Sequence, residues 1–383
     1  MKPIKLGVVG LGRAFMLMLP TFIKDPRIKL VAAAARNQTQ LNLFKNEFKG
    51  SDVGDLDSLC KNKHVEAVYI ATPHEIHLEQ ILKLLTANKH ILVEKPMTLS
   101  VEQAKIVINA IKQSKADLIV GPSHSFDAPI IEAAKVITSK RYGDIKMISA
   151  QYYTDFVYRP RRPEELDSNL GGGAIFNQGA HHADILLSLA NSRAISVYGC
   201  AGNFDKNRPC DGAYTAIVKF KNNCIANITY SGYAHYDTDS EFGWVSEMGT
   251  LKDKSNHGLA RNKLVGVNEV QERLEKSNKG YHKNYLLPDA EFNEHFGKII
   301  ISCEGADIIP TPTGMKICAN DEVSFIPISK LAVPRSTVID ELYQLVRNNV
   351  APIHDANRAL NNIALCEAIS ISSIEKRQIT IKQ

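Results

Sequence analysis

Residues 5–12 read KLGVVGLG, a short apolar run that ends in two glycines separated by one residue. The run predicts a buried β-strand, Lys5–Gly10, and the residues after it have helical spacing. At such a turn, Gly10 permits a tight bend and Gly12 lets backbone N–H groups approach a pyrophosphate at the positive end of the helix. The third position of this dinucleotide-binding fingerprint is Phe15 instead of glycine or alanine. A simple glycine turn therefore stays open as an alternative.

The chain up to Pro122 alternates short β-branched runs with longer amphipathic ones. This alternation predicts parallel strands joined by crossover helices, the doubly wound Rossmann arrangement. The predicted strands are Lys5–Gly10, Lys29–Ala35, Val65–Thr72, His90–Val93 and Leu118–Val120, and the predicted helices are Phe15–Lys24, Gln38–Phe48, His77–Ala87 and Val101–Ser114.

Beyond Pro122 the predicted strands alternate apolar and polar residues, which indicates an antiparallel sheet with one covered face. The predicted fold class is α/β: an N-terminal Rossmann domain, 1–122, and a C-terminal α+β domain, 123–383, with a large, mostly antiparallel open sheet. Residues 252–312 look like a charged insertion with little periodicity, either a lid or an oligomer contact. The remaining predicted strands are Lys146–Thr154, Ile195–Ala201, Tyr214–Lys219, Cys224–Tyr233 and Val323–Pro327, and the helices are Pro129–Ser139, Gln178–Ala190, Ser336–Asn348 and Ala356–Lys376, the last two able to pack back on the first domain.

The composition narrows the class of protein. The 383 residues are 44% hydrophobic and carry a net charge of +5 with no basic stripe, so we expect no nucleic-acid partner. Seven cysteines without a CxxC pair predict neither a zinc site nor a disulfide framework, and we expect no metal and a cytoplasmic location. No apolar run reaches the roughly 20 residues of a membrane span, so we expect no membrane partner.

The end of the second predicted strand bears on cofactor choice. An NAD site normally places an acid there to bind the ribose hydroxyls. Here the sequence reads Ala33-Ala34-Ala35-Arg36, and an arginine can pair with a 2′-phosphate. This favours NADP over NAD, although Arg36 can also be an ordinary surface residue.

Three further motifs occur in order and carry a family resemblance. They are Ala71-Thr72-Pro73-His74 with His77, then Glu94-Lys95-Pro96, and then the Gly171-Gly172-Gly173 run leading to Gly179, His181 and Asp184. Together with the first glycines, this series resembles the glucose–fructose oxidoreductase/inositol dehydrogenase/rhizopine-catabolism (Gfo/Idh/MocA) family over essentially the whole chain. Segments 11–22, 124–127 and 157–167 are similar to a narrower branch, the phthalate 4,5-cis-dihydrodiol dehydrogenases.

The resemblance implies a catalytic Lys95 that faces both the nicotinamide and the reacting substrate oxygen, and a general base at His181. The family usually has aspartate where this chain has Asn177, which can orient a hydroxyl but cannot take a proton. Lys95 as a surface ion-pair residue and His181 as a core histidine remain alternatives. The expected cofactor-binding residues are Gly10, Gly12, Arg13, Ala14, Arg36, Thr72, Pro73, His77, Glu94 and Lys95.

Several basic side chains are candidates for substrate binding. Arg159, Arg161 and Arg162 suit a substrate carboxylate, because guanidinium binds carboxylate in a bidentate way. Nearby acids make structural ion pairs the alternative for this cluster. His124 and His182 are the other candidates.

The resulting hypothesis is an NAD(P)-dependent oxidoreductase that moves a hydride between nicotinamide and a secondary alcohol or ketone of a small cyclic diol, sugar or hydroxylated carboxylate. One alternative is a sugar reductase or epimerising oxidoreductase with a tightly held cofactor. The other is a dinucleotide-binding sensor with weak or no turnover, which Asn177 and Phe15 suggest. By resemblance we expect a homodimer or homotetramer.

Overall fold

The structure is a computed structural model that describes residues 2–282 and 288–382, apart from the side chain at position 169. The described residues form two compact units. The first unit takes its residues from Met1–Pro122, Leu274–Leu287 and Ala332–Leu360, and the second from Ser123–Arg273, Pro288–Leu331 and Asn361–Gln383. Both units are therefore assembled from separated stretches of chain.

The first unit contains a six-stranded parallel sheet with the strand order β3-β2-β1-β4-β5-β6. Ile4, Leu6 and Val8 of its strand β1 are completely buried, as expected for a parallel strand covered on both faces. The strands are β1 (Ile4–Val9), β2 (Ile28–Ala34), β3 (Asp52–Gly54), β4 (Ala67–Ile70), β5 (His90–Val93) and β6 (Leu118–Val120), and the helices are α1 (Arg13–Lys24), α2 (Gln38–Glu47), α3 (Leu56–Lys61), α4 (His77–Thr86) and α5 (Val101–Ile111).

The predicted Rossmann arrangement is confirmed, and the predicted elements agree with the observed ones to within a few residues. The sequence missed β3 and α3. Strand β3 has three residues and none of them is buried, so it lacks the apolar run on which the prediction depends.

The remaining elements follow in chain order. They are α6 (Ala128–Thr138), β7 (Ile145–Tyr153), α7 (Ala180–Ala190), β8 (Ala194–Gly202), β9 (Ala213–Phe220), β10 (Ile225–Ser231), α8 (Leu259–Leu264), α9 (Glu269–Ser277), β11 (Lys298–Cys303), β12 (Ala306–Thr311), β13 (Gly314–Ala319), β14 (Val323–Pro327), α10 (Ser336–Asn348), α11 (Ala356–Glu375) and β15 (Ile379–Thr380). A π-helical turn, Ile175–Gly179, leads directly into α7.

The second unit contains a nine-stranded sheet with the order β14-β13-β12-β11-β7-β10-β9-β8-β15. All neighbouring strands are antiparallel except β7 and β10, so the predicted, mostly antiparallel sheet is confirmed. Helices α6 and α7 contact this sheet at β12, β13 and β7. On one face, Tyr152, Tyr230 and Tyr214 stand opposite one another on β7, β10 and β9 and are almost fully buried.

The predicted insertion at 252–312 is wrong. This stretch contains α8 and α9, and it supplies β11 and β12, which extend the sheet beyond β7. Strand β12 was missed because Pro310 lies within it, and a proline weakens a strand prediction. No helix in the described part of the chain is long and apolar enough to cross a membrane.

Candidate active site

The glycine turn after β1 is shaped by two different constraints. Gly10 has a φ of +91°, and a Cβ there would lie 2.8 Å from the carbonyl oxygen of Ala71. Gly12 is the N-cap of α1, where no side chain caps the helix, and a Cβ at Gly12 would meet no atom within 4 Å. Gly10 is therefore required by the backbone conformation and by the close approach of Ala71. Gly12 leaves open space beside the first N–H groups of α1, which suits a pyrophosphate.

Phe15, the departure from the fingerprint, has a structural explanation. Its ring is completely buried and packs 6.2 Å from Phe44 and 5.4 Å from Tyr281, centroid to centroid. The backbone N–H of Tyr281 also donates to the carbonyl of Leu11 at 3.0 Å. Sequence reasoning missed Tyr281, because nothing local marks a residue so distant along the chain as a support of the glycine turn.

The two glycines allow a paired prediction. Gly10→Ala should destabilise the first unit by at least about 1–2 kcal/mol, the cost of a left-handed backbone for an L-residue, and the contact with Ala71 should add to it. Gly12→Ala should keep the melting temperature of the wild type and weaken dinucleotide binding, because its methyl group would occupy only the open space. Thermal unfolding and calorimetric titration with NAD⁺ and NADP⁺ measure both effects. Equal loss of stability in the two variants would contradict this assignment.

The other predicted cofactor residues of this region lie around the same turn. Arg13 and Ala14 begin α1 and are half-buried. Arg36 is exposed just beyond the end of β2 and makes no hydrogen bond or ion pair to any residue that the structure describes. No acidic residue stands between Ala34 and the N-cap of α2, Asn37. The end of β2 thus presents a guanidinium where a NAD site presents a carboxylate.

His77 has a different task from the predicted cofactor contact. It is 1% exposed, and its ring nitrogens lie 3.0 Å from the carbonyl of Thr72 and 3.0 Å from that of Pro96. Burial lowers the pKa of His77 to about 4, so the ring is neutral and donates one N–H at a time. His77 therefore ties together the loops that follow β4 and β5.

Lys95 follows Glu94 directly after β5, and both side chains are half-buried, as are Thr72 and Pro73 at the end of β4. The hydroxyl of Tyr69 donates to Glu94, and burial raises the pKa of this carboxyl group. The carboxyl ends of parallel strands are where open α/β sheets bind their ligands. The ammonium of Lys95 is thus positioned by the strand end that carries it and by the loop that His77 holds.

In the second unit, two histidines from different elements meet beside a phenylalanine. His124, from the turn before α6, places Nδ1 2.7 Å from a carboxylate oxygen of Asp127. Its ring lies edge to face with His181 of α7 at 4.7 Å and stacks on Phe296 at 4.8 Å, centroid to centroid. Nδ1 of His181 lies 3.5 Å from the hydroxyl of Ser123. We call His124, Asp127, His181 and Phe296 the histidine cluster.

The pKa values of His124 and its neighbour His182 are shifted in opposite directions. Burial lowers the pKa of His182 to about 3, and burial would also lower that of His124. At His124 the carboxylates of Asp127, Glu294 and Glu247 outweigh burial and raise the pKa above its ordinary value.

The predicted role of His182 in substrate binding is corrected by its burial. Its side chain is completely buried, and Nδ1 lies 2.7 Å from the hydroxyl of Tyr214. It packs against Phe296 at 4.9 Å. His182 is therefore a core residue.

Burial and pairing also separate the three arginines into structural residues and one remaining candidate for substrate binding. Arg161 is buried, with its guanidinium 3.6 Å from the centre of the Phe156 ring and donating to the Phe156 carbonyl at 2.9 Å. Arg162 is half-exposed and lies 3.5 Å from Glu165. Structural pairing, the alternative named for the cluster, thus describes Arg161 and Arg162 better than substrate binding.

Arg159 remains as the substrate-binding candidate. Its Nε donates to Asp155 at 3.1 Å and Nη1 lies 3.6 Å from Glu247, while Nη2 makes no hydrogen bond to the described residues. Glu247, which the sequence did not indicate, also lies 3.4 Å from the hydroxyl of Tyr152. Burial would raise the pKa of Glu247, but Arg159 and His124 hold it at about 2. An ionised carboxylate therefore positions a half-exposed arginine.

Comparison with known proteins places these features in one family. Residues 4–122 match the model of an oxidoreductase family with an NAD-binding Rossmann fold, and residues 130–252 match the GFO/IDH/MocA C-terminal domain. A 1-carboxy-3-chloro-3,4-dihydroxycyclohexa-1,5-diene dehydrogenase from Comamonas testosteroni is 43% identical over 95% of this chain and 94% of its own length. The chain belongs to the Gfo/Idh/MocA oxidoreductase family.

Other Gfo/Idh/MocA-like proteins give the same result. The crystal structure of a putative dehydrogenase from Bordetella bronchiseptica RB50 superimposes with a TM-score of 0.93 at 32% identity, covering 99% of this chain and 100% of the other. A trans-1,2-dihydrobenzene-1,2-diol dehydrogenase from Danio rerio is 23% identical over 63% of this chain and 71% of its own length. The protein is thus an enzyme, an oxidoreductase whose Rossmann domain binds a nicotinamide dinucleotide.

In this Gfo/Idh/MocA enzyme, Asn177 lies within the π-helical turn before α7, one helical turn ahead of His181, and its side chain is half-buried. A carboxamide at this place donates and accepts hydrogen bonds but neither takes up nor releases a proton near neutral pH. The acid–base chemistry of the reaction must therefore come from other side chains.

Proposed function

We propose that the enzyme is an NADP-dependent dehydrogenase of small cyclic vicinal diols that bear a ring carboxylate. The observation that carries this proposal is the histidine cluster and the half-exposed Arg159 in a chain 43% identical to a dehydrogenase of a carboxylated dihydroxycyclohexadiene. Nη2 of Arg159 offers a donor for the substrate carboxylate.

The residues proposed to act on the alcohol are Lys95 and His181. The cofactor, when bound, accepts the hydride from the hydroxyl-bearing carbon. As that C–H bond breaks, the hydroxyl loses its proton to a protein group, and a carbonyl forms. An ammonium or imidazole beside the oxygen stabilises the negative charge that develops there. Asn177 is proposed to orient a substrate hydroxyl without titrating.

A substrate panel tests the proposal. The wild-type enzyme is assayed with a cis-dihydroxycyclohexadiene carboxylate, with the same dihydrodiol lacking the carboxylate, and with inositol and glucose, by following reduced nicotinamide. We expect kcat/KM for the carboxylated diol to exceed that for its uncharged analogue by about 100-fold, the value of one charge-assisted pair. Arg159→Gln should remove this preference and leave the rate with the uncharged diol unchanged. A preference for the polyols would contradict the proposal.

The preference for NADP over NAD is also a proposal, and it rests on the guanidinium beyond β2. Arg36→Ala should weaken NADP⁺ binding by about 10- to 100-fold, as expected for one lost charge-assisted pair, because the 2′-phosphate loses its partner. NAD⁺ binding should change less than about twofold. Fluorescence titration with both cofactors measures the ratio. Tighter binding of NAD⁺ than NADP⁺ by the wild type would refute this interpretation of Arg36.

We propose further that the exposed face of the large sheet pairs with a second copy of the chain. Apolar side chains from four adjacent strands, Met147, Tyr198, Ile217 and Ile225, are exposed on this face, with Ile217 57% exposed.

The sheet-face proposal gives a matched pair of variants. Ile217→Lys should convert a wild-type dimer or tetramer into smaller species on light scattering. Val265→Lys, at an apolar position after α8 that is even more exposed, should leave the assembly intact. A wild type that is monomeric at micromolar concentration would contradict the proposal.

A further inference from the structure

Asp127 occupies a helix N-cap but does not cap the helix. It precedes the first residue of α6, and its side chain makes no hydrogen bond to the backbone N–H groups of that helix. An aspartate at this place ordinarily accepts from those groups, which stabilises the helix. Here its carboxylate accepts from Nδ1 of His124 instead, at 2.7 Å. The carboxylate of Asp127 thus binds the His124 ring and leaves the first N–H groups of α6 without a side-chain cap.

The other nitrogen of His124 is left available. Nε2 makes no hydrogen bond to a described residue, and it is not among the fully buried unpartnered atoms, which include Nε2 of His182. Phe296 on one face and His181 at the edge fix the plane of the ring. An imidazole held by a carboxylate at Nδ1, with Nε2 free, has the arrangement of a general acid–base, because the carboxylate orients the ring and stabilises the imidazolium.

We propose that His124, positioned by Asp127, is the group that takes the hydroxyl proton of the substrate, in place of the acid that Asn177 cannot provide. This inference rests on the proposed function and names the proton acceptor within it. In the oxidative direction the O–H bond breaks and the proton passes to Nε2, while the hydride leaves the same carbinol carbon for the nicotinamide. The imidazolium then releases its proton to solvent. In the reductive direction His124 donates.

The charges around His124 set the expected pH dependence. It faces the carboxylates of Asp127, Glu294 and Glu247, and the rings of His181 and His182, of which His182 is held neutral by burial. The guanidinium of Arg159 is paired with Glu247. The carboxylates favour the protonated ring, so neutral His124 becomes abundant only above the ordinary pH range of a histidine. Oxidation should accordingly rise through an acidic limb that lies above the ordinary histidine pKa.

The test compares Asp127→Asn and His124→Gln with a matched control, Glu341→Gln. Glu341 accepts from buried His354 at 2.8 Å in the first unit, so the control breaks a similar pair far along the chain. Steady-state kinetics are measured across pH on whichever alcohol of the panel the wild type oxidises. We expect kcat to fall about 100-fold in both test variants with little change in KM. The acidic limb should move to lower pH in Asp127→Asn, and the control should keep the wild-type profile.

A second readout does not depend on a substrate. Nitrogen-15 NMR of His124 should show titration above the ordinary histidine range in the wild type and at a lower pH in Asp127→Asn. If the enzyme oxidises none of the diols in the panel, only the substrate assignment is refuted. If the pKa of His124 is the ordinary value for a histidine, the proposed pairing of His124 with Asp127 is refuted. Wild-type kcat and pH profile in His124→Gln would overturn the proposal.

His124, Asp127 and Glu294 could instead bind a metal ion, because one ligand atom from each lies within 4.8 Å of the others. Elemental analysis separates a metal site from an acid–base pair. One divalent ion per chain that elemental analysis finds in the wild type and not in Asp127→Asn would overturn the proposal, because His124 would then be a metal ligand and not a proton acceptor.

Discussion

Replacing Lys95 with alanine is expected to lower kcat about 1,000-fold and to leave NADP⁺ affinity within a few-fold of the wild type. The expectation follows from its place directly after β5, where the loop containing Pro96 is tied to Thr72 by His77. An ammonium at the reacting oxygen stabilises the negative charge that develops there, and loss of such a group typically costs about 10²–10³ in rate. Stopped-flow kinetics and cofactor titration separate the two effects.

Two further variants make the Lys95 prediction specific. Lys95→Arg keeps the positive charge but replaces a compact ammonium with a larger planar guanidinium, so it should restore little activity. Lys112→Ala, at the exposed C-cap of α5, should behave as the wild type. A Lys95→Ala enzyme with more than a tenth of the wild-type kcat would remove Lys95 from the mechanism. If Lys95→Ala loses turnover and still binds the cofactor, a dinucleotide-binding sensor without turnover is also excluded, because such a sensor has no turnover to lose.

Glu272→Leu is expected to destabilise the second unit by about 3–5 kcal/mol, the usual cost of removing one partner of a buried ion pair. The Glu272 carboxylate accepts from both terminal nitrogens of Arg208, at 2.9 and 2.7 Å, and from the backbone N–H of Arg161 at 2.6 Å. Glu272 and Arg208 are both buried. Without the carboxylate, Arg208 would be left as a buried charge with only carbonyl partners.

Urea unfolding followed by fluorescence and circular dichroism measures the loss. The matched control is Arg273→Ala, whose exposed pairs with Glu269 and Glu164 should contribute less than about 1 kcal/mol. A Glu272→Leu protein that unfolds at the wild-type urea concentration would show that this buried pair does not hold the 157–161 segment in place.

The sequence predicted the first unit well because parallel strands buried on both faces appear as continuous apolar runs between amphipathic helices. It failed at β11 to β13, where Pro310 interrupts β12. The glycine turn and Arg36 could be proposed from the sequence because each proposal depends only on a position just after a predicted strand.

The candidate site was only partly accessible from the sequence. His181 and His182 are adjacent in the chain, and burial and partners, which no pattern reveals, assign one to the histidine cluster and the other to the core. Glu247 and Phe296 reach the site through tertiary packing and have no motif. Asp127 lay in a segment that carried the family resemblance, yet its choice of His124 over the helix backbone is visible only in three dimensions.

The central claim, hydride transfer from the carbinol carbon to the nicotinamide, is tested most directly by isotope transfer. The carboxylated dihydrodiol is labelled with deuterium at its hydroxyl-bearing carbons and incubated with the enzyme and NADP⁺, and the reduced cofactor is analysed by mass spectrometry. We predict one deuterium in each molecule of NADPH formed. NADPH without the label, or product formed without NADPH, would contradict the account.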